Sequence, residues 1–167
     1  KIIRSYKDKL NLKIITEKQK GRGSARKTGF ARAKGGIILS TDADTILPPN
    51  WIEEIIKPFS DSKIVAVTGP CKINDCSPKI NKHFNFLQPR LMTLYSFVYR
   101  HYWLSGFNFA IRKDIYKQAG GFGSNINGEE DIGLSFKVCK LGKIHFMKHL
   151  SFIFSGRRFS SGIIKPV

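Results

Sequence analysis

The run GIILST, Gly36–Thr41, is apolar without alternation and leads directly into Asp42-Ala43-Asp44. A short unalternating apolar run is the pattern of a strand covered on both faces, as in a parallel sheet. Before it, KGRGSARKTGFARAK holds glycines at 21 and 23, then a stretch that predicts a helix from Ala25 to about Lys34, with Ser24 as N-cap and Gly35 as its stop. LNLKIIT, Leu10–Thr16, is the expected preceding strand. Strand, helix and strand in that order make a βαβ unit, which points to an α/β fold.

The rest of the chain supports this. Pro48-Pro49-Asn50 opens a helix whose apolar residues Trp51, Ile52, Ile55, Ile56 and Phe59 share one predicted face, with Pro58 ending it. KIVAVTGP, Lys63–Pro70, is a further strand. Residues 71–105 are helical in pattern and rich in aromatic side chains. GFNFAIRK, Gly106–Lys113, predicts a strand, and DIYKQAGGF a short helix closed by Gly120. EEDIGLSFKVCKLG predicts a helix with Ile132, Phe136 and Cys139 on one face and Gly142 as its stop; KIHFM is a last strand and SGRRFSSG a basic loop. With 167 residues and no composition break, one domain is expected over 1–167.

Charge narrows the function. The net charge is +17, and residues 1–41 hold twelve Lys/Arg against two acids. Nucleic acid, an anionic membrane or a phosphate-bearing small molecule could each be the partner, and so could water alone. Of twelve acids, five lie in two short clusters, Asp42/Asp44 and Glu129/Glu130/Asp131. Carboxylates at i and i+2 on an extended segment point the same way. At the end of a buried strand they can serve a hard cation such as Mg²⁺ or Mn²⁺; they can equally cap a turn before Pro48. The second cluster opens a helix, where acids complement the dipole; it can also supply a general base. The glycine-bearing loop before the first helix suits phosphate, as do the planar donors of Arg157 and Arg158; a surface loop and a basic tail are the simpler readings of both. The four histidines lack ligand spacing, and the three cysteines read as thiols of a reducing compartment. Leu91–Ile111 is the most apolar long stretch, but Arg100 and His101 interrupt it, so a buried or interfacial segment is expected.

In order and spacing these pieces resemble the inverting family 2 glycosyltransferases. GRGSARKTGFARAKGGIILSTDADTILPPNWIEEI is similar to that family's run into its D-x-D motif, and GFNFAIRKDIYKQAGGFGSNINGEEDIGLSFKVCKLGKI to its acceptor-side segment; the similarity covers most of Ile14–Phe146. It implies a GT-A fold, a Rossmann-like mixed sheet flanked by helices, with residues 1–70 in the nucleotide-sugar half and 71–167 in the acceptor half. It implies a hexosyltransferase-type enzyme that moves a sugar, with inversion, from a nucleotide diphosphate to the hydroxyl of a saccharide, lipid-linked or other acceptor. Asp44 would hold the Mn²⁺ or Mg²⁺ on the diphosphate, and Asp42 would face ribose and sugar. Arg26 would approach the nucleotide, and Arg157 and Arg158 would close over the diphosphate. Asp131 would be the catalytic base with Glu130 beside it, and Gly106, Phe107 and Asn108 would line the acceptor side.

Two departures stand out. Lys27 replaces the family's usual Asn, and the family's opening strand and Asp-Asp-Gly stretch are absent, so the chain reads as an N-terminally truncated piece. The competing readings are a nucleotidyltransferase, against which the Glu130–Asp131 cluster argues, and a basic nucleic-acid-binding module, for which no recognised motif is present. No specific nucleic acid partner is expected. The resemblance and charge together suit a cytoplasmic protein, with peripheral contact at the cytoplasmic membrane face compatible with both.

Overall fold

The computed structural model describes residues 3–6, 8–123 and 130–157, with Glu130 by its backbone alone. It is an α/β fold built on a four-stranded sheet. The strands are β1 (Ile37–Thr41), β3 (Ile64–Thr68), β5 (Asn108–Arg112) and β6 (Lys143–Phe146), in the order β1-β5-β3-β6. β5 runs antiparallel to β1 and β3, and β3 pairs parallel with β6, so the sheet is mixed. Strands from residues 1–70 alternate across it with strands from 71–167.

Apolar side chains fill both faces. On one face α1 (Arg22–Arg32), α4 (Lys113–Gln118) and α5 (Glu130–Val138) pack through Phe30, Tyr116, Leu134 and Val138 against Ile38, Phe109, Ile111 and Ile144. Phe30 centres an aromatic knot, 4.8 Å from the Tyr116 ring and 5.0 Å from Phe122. On the other face α2 (Trp51–Ile56) and the 3-10 turn Lys57–Ser60 place Trp51, Ile55 and Phe59 against Ile64, Val67 and Ala110. Gly142, just before β6, passes close to β3 because it has no Cβ; one there would collide with the Val65 side chain.

A second sheet, not expected from the sequence, has three short strands in the order β2 (Thr45–Ile46), β7 (Phe152–Phe154), β4 (Cys71–Lys72). β7 runs antiparallel to β2 and parallel to β4. Strands this short carry no readable period, and their pairing is long-range. β4 leads to α3 (Pro78–Tyr99), which Ser77 caps by accepting from the Ile80 amide.

Several expectations are corrected. Leu10–Thr16 is not a strand: it lies outside the sheet, with Leu10, Ile14 and Ile15 exposed. No described strand lies on the free edge of β1, so this segment has no ladder to join; Glu17, just beyond it, accepts from the Thr28 hydroxyl on α1. The βαβ unit is therefore not formed, and β1 is an antiparallel edge strand rather than a parallel interior one. α1 begins at Arg22, with Gly21 rather than Ser24 at the N-cap. In α2 only Trp51 and Ile55 are buried, while Ile52 and Ile56 are exposed. α5 buries Leu134, Ser135 and Val138, while Phe136 is exposed and packs laterally against Tyr99 and His101, and Cys139, just past its end, is partly buried against the core.

The α2 register gives a direct check by urea denaturation. Ile55→Ala should cost about 2–5 kcal/mol, as for other large-to-small core changes. Ile52→Ala, three residues earlier and 63% exposed, should stay within about 0.5 kcal/mol. Equal losses would contradict this register.

Candidate active site

Arg26 and Phe30 lie one helical turn apart, so anchoring Phe30 in the core turns Arg26 along the same face of α1 toward the end of β1. There the guanidinium lies between two acids from distant parts of the chain. Its Nη2 donates to Asp42 Oδ1 at 2.8 Å, and its Nη1 donates to Asp131 Oδ1 at 3.1 Å and Oδ2 at 3.3 Å. The side chain of Arg26 is 10% exposed and that of Asp131 15%, whereas Asp42 is open at 32%. The planar guanidinium has five N–H donors in fixed directions, so it can hold two carboxylates at once; a lysine ammonium lacks that geometry.

The backbone at 104–106 closes the cluster. The Gly106 amide donates to Asp131 Oδ2 at 2.9 Å, and the Gly106 carbonyl accepts from the buried Ser40 hydroxyl of β1 at 2.6 Å. Ser135 Oγ donates to the Asp131 carbonyl at 2.7 Å and accepts from the Leu104 amide at 2.9 Å, which pins the first turn of α5 to the same loop. A Cβ at position 106 would collide with both the Arg26 guanidinium and the Asp131 carboxylate, so any larger residue requires these two side-chain ends to shift.

Asp44 belongs to a neighbouring arrangement set by the small sheet. β2 and β7 pair with Thr45 opposite Phe154, which brings Asp44, just before β2, level with the residues just after β7. Arg157 Nη2 donates to Asp44 Oδ2 at 3.0 Å, with the two side chains 74% and 39% exposed. A pair this open adds little stability, and both groups remain accessible to a ligand. The loop that carries Arg157 is tied down by Asp75, which follows β4. Asp75 accepts from the Ser155 hydroxyl at 2.7 Å and the Gly156 amide at 2.6 Å. These two hydrogen bonds hold the Asp75 carboxyl below its ordinary value of 3.8.

The expected site residues are thus brought together in part. Arg26, Asp42, Asp131 and Gly106 form one hydrogen-bonded cluster, and Asp44 and Arg157 form a pair beyond the same end of β1. Phe107 is half-buried beside them, its ring stacked on Phe154 at 5.1 Å and 4°. Asn108 is placed differently from Phe107. Its side chain is 1% exposed and turned into the sheet, where Oδ1 accepts from Trp51 Nε1 at 2.9 Å. Lys27 is exposed on the next position of α1, beside a groove with Phe30 and Tyr116, and does not join the Arg26 cluster. Arg158 and the side chain of Glu130 lie outside the described residues. Sequence reasoning missed Ser40, Asp75 and Ser135; their importance depends on strand register, which no local pattern announces. Among the described residues no three His, Cys, Asp or Glu side chains group as a metal cage. The cysteines are free, and burial pushes the Cys71 thiol up to about 12, as suits a core residue.

Compared with known proteins, the sequence matches the family described as Glycosyl transferase family 2 over residues 1–120. The chain belongs to that family. The family match stops short of Asp131. Among curated relatives, the hyaluronan synthase of Streptococcus pyogenes is 38% identical over 50 residues, covering 30% of this chain and 12% of the synthase. An uncharacterized glycosyltransferase of Nostoc sp. is 30% identical over 80 residues, 48% of this chain and 25% of its own length. This family 2 chain therefore spans a quarter or less of those relatives. In structure it is similar to S. aureus TarS 1-349 in complex with UDP-GlcNAc, at TM-score 0.71 and 19% identity, covering 99% of this chain and 49% of that one. It is also similar to the mannosyltransferase PcManGT from Pyrobaculum calidifontis in complex with GDP-Man and Mn²⁺, at TM-score 0.65 and 21% identity, covering 90% and 42%. The fold is GT-A.

Gly106→Ala tests the close approach at the cluster. The extra methyl should separate Arg26 from Asp131 and cost about 1–3 kcal/mol, as overpacking does, a fall in melting temperature of about 2–4 °C per kcal/mol. An unchanged melting temperature would contradict the geometry.

Proposed function

We propose that this chain forms the catalytic core of an enzyme that transfers a sugar from a nucleotide diphosphate to an acceptor hydroxyl with inversion at the anomeric carbon. The observation that carries the reading is the bridge from Arg26 to Asp42 and Asp131, which gathers an acid at a strand end and an acid at a helix start around one cation. Family membership and the sugar nucleotides in the similar structures support the substrate class.

In this reading Asp131 is the base. Its orientation is set by Arg26 and the Gly106 amide, and it takes the proton of the acceptor hydroxyl as that oxygen attacks the anomeric carbon. The bond from the anomeric carbon to the diphosphate oxygen breaks, and the diphosphate leaves with the bonding electron pair. Asp42 faces the ribose and sugar of the donor, with Arg26 holding it in place. Arg157 and Arg158 meet the diphosphate, and Gly106 and Phe107 border the acceptor, a saccharide, lipid-linked or other hydroxyl compound.

A divalent cation suits Asp44. Its carboxylate is open, and its described partner is an exposed arginine that a cation could replace. One or two carboxylates plus substrate phosphate oxygens is an ordinary way to hold Mg²⁺, with no protein cage required. Mn²⁺ in the mannosyltransferase structure favours that ion. When bound, the cation supplies Lewis-acid neutralisation of the leaving diphosphate.

The test is nucleotide-sugar binding and transfer across a panel of UDP- and GDP-sugars with Mn²⁺. Asp44→Ala should weaken donor binding about ten-fold or more and abolish its dependence on Mn²⁺. Asp131→Asn should leave donor binding within about two-fold yet lower transfer by about 10²–10⁴-fold. Full activity in Asp131→Asn would overturn the base assignment. Strongly salt-dependent RNA or DNA binding without sugar-nucleotide binding would overturn the whole reading.

A further inference from the structure

Helix α3 is amphipathic in the reverse sense for a helix packed on a globular protein. Its inward side is fastened by amides. The Asn81 side chain bonds both the amide and the carbonyl of Cys76, Asn85 does the same with Ile73, and Gln88 accepts from the Cys71 amide. Its outward side is hydrocarbon. Phe86, Leu87, Leu91, Leu94, Phe97 and Val98 are all exposed, Phe97 at 74%, and their spacing of i, i+1, i+5, i+8, i+11 and i+12 makes one continuous helical stripe. Monomeric proteins rarely expose contiguous apolar patches larger than a few hundred Å² without a partner for them.

Charge indicates what the partner is. From Cys76 to Lys113 the chain carries six Lys/Arg and not one Asp or Glu. Arg90 sits within the stripe with its guanidinium 3.5 Å from the Phe86 ring centroid, its stem covering hydrocarbon and its charge outward. Beside it a groove of about 660 Å³ is lined by Pro89, Arg90, Leu94 and Phe97, and Lys148 enters from the loop after β6. Cations from two separate elements thus meet at the edge of an apolar surface. A second copy of this face would set like charges against one another. A sheet of phosphate-bearing headgroups over hydrocarbon complements both features together. No described helix is long and apolar enough to cross a membrane, so the contact is with the surface.

We propose that the outward face of α3 seats on an anionic lipid bilayer. Leu87, Leu91, Leu94, Phe97 and Val98 enter the boundary between headgroups and acyl chains, and Lys79, Lys82, Arg90 and Lys148 contact lipid phosphates. None of these residues belongs to the Arg26 cluster, so this interaction stands or falls separately from the transfer reaction. The inward side of the same helix carries Phe84, whose ring lies 5.8 Å from Phe154, the residue on which Phe107 stacks. The lipid-facing helix and the acceptor side of the site therefore share one line of aromatic contacts.

Co-sedimentation with phosphatidylcholine vesicles, with and without phosphatidylserine, tests the proposal. The protein should pellet with the anionic vesicles, do so far less with neutral ones, and lose binding as salt rises. The double variant Leu94→Gln/Phe97→Gln changes only exposed side chains; circular dichroism should be unchanged while partitioning falls about ten-fold or more. Lys82→Gln should weaken it about five-fold. Absence of binding to anionic vesicles at low salt would overturn the proposal, as would binding that the double variant leaves intact. So would a wild-type dimer in size-exclusion chromatography that the double variant converts to monomer, since the stripe would then be a contact between copies.

Discussion

The site depends on one guanidinium. Asp42 closes the end of β1 and Asp131 opens α5; two carboxylates brought that close would repel, and the loop at Gly106 would have no reason to approach them. Arg26 removes the conflict by donating to both from a position that is itself nearly buried. The surrounding features serve this contact. Phe30 sets the rotation of α1, the Gly106 amide takes the second Asp131 oxygen, and Ser40 and Ser135 hold the loop from either side. The cation thus joins Asp42 at the end of β1 to Asp131 at the start of α5.

The three-stranded sheet performs the corresponding task for Asp44. It is small, with Cys71 and Phe152 buried, and its register brings three chain segments to one place: Asp44 before β2, Asp75 after β4 and Arg157 after β7. Asp75 fixes the backbone of the Arg157 loop, while Arg157 and Asp44 stay open to solvent. A rigid mount with an accessible, weakly paired acid and base suits groups that must exchange partners when a charged ligand arrives.

Much of the fold was legible in the sequence where the signal is local. The runs at 37–41, 64–68 and 108–112 are strands because each carries adjacent apolar side chains that can meet either face, and Gly120 follows α4 with a left-handed φ of 75°. Arg26, Asp42 and Asp131, which lie in one hydrogen-bonded cluster, stood out through the order of several motifs rather than any one. What failed depends on partners distant in the chain. Leu10–Thr16 has a strand's composition but no ladder to join. Which face of α5 is buried was not legible, because Phe136 finds aromatic neighbours in Tyr99 and His101 at the rim instead of in the core. Asn108 was expected beside its neighbours Gly106 and Phe107, yet the alternation of β5 turns it toward Trp51. The two- and three-residue strands, and with them Asp75, have no period to read at all.

The most direct test is a pair of double-mutant cycles read by urea denaturation, one combining Arg26→Met with Asp42→Asn and the other combining Arg26→Met with Asp131→Asn. If Arg26 holds the two acids together, both cycles will show coupling of about 0.5–3 kcal/mol. Additivity within about 0.5 kcal/mol in either cycle would contradict the bridge and, with it, the account of how the site is assembled.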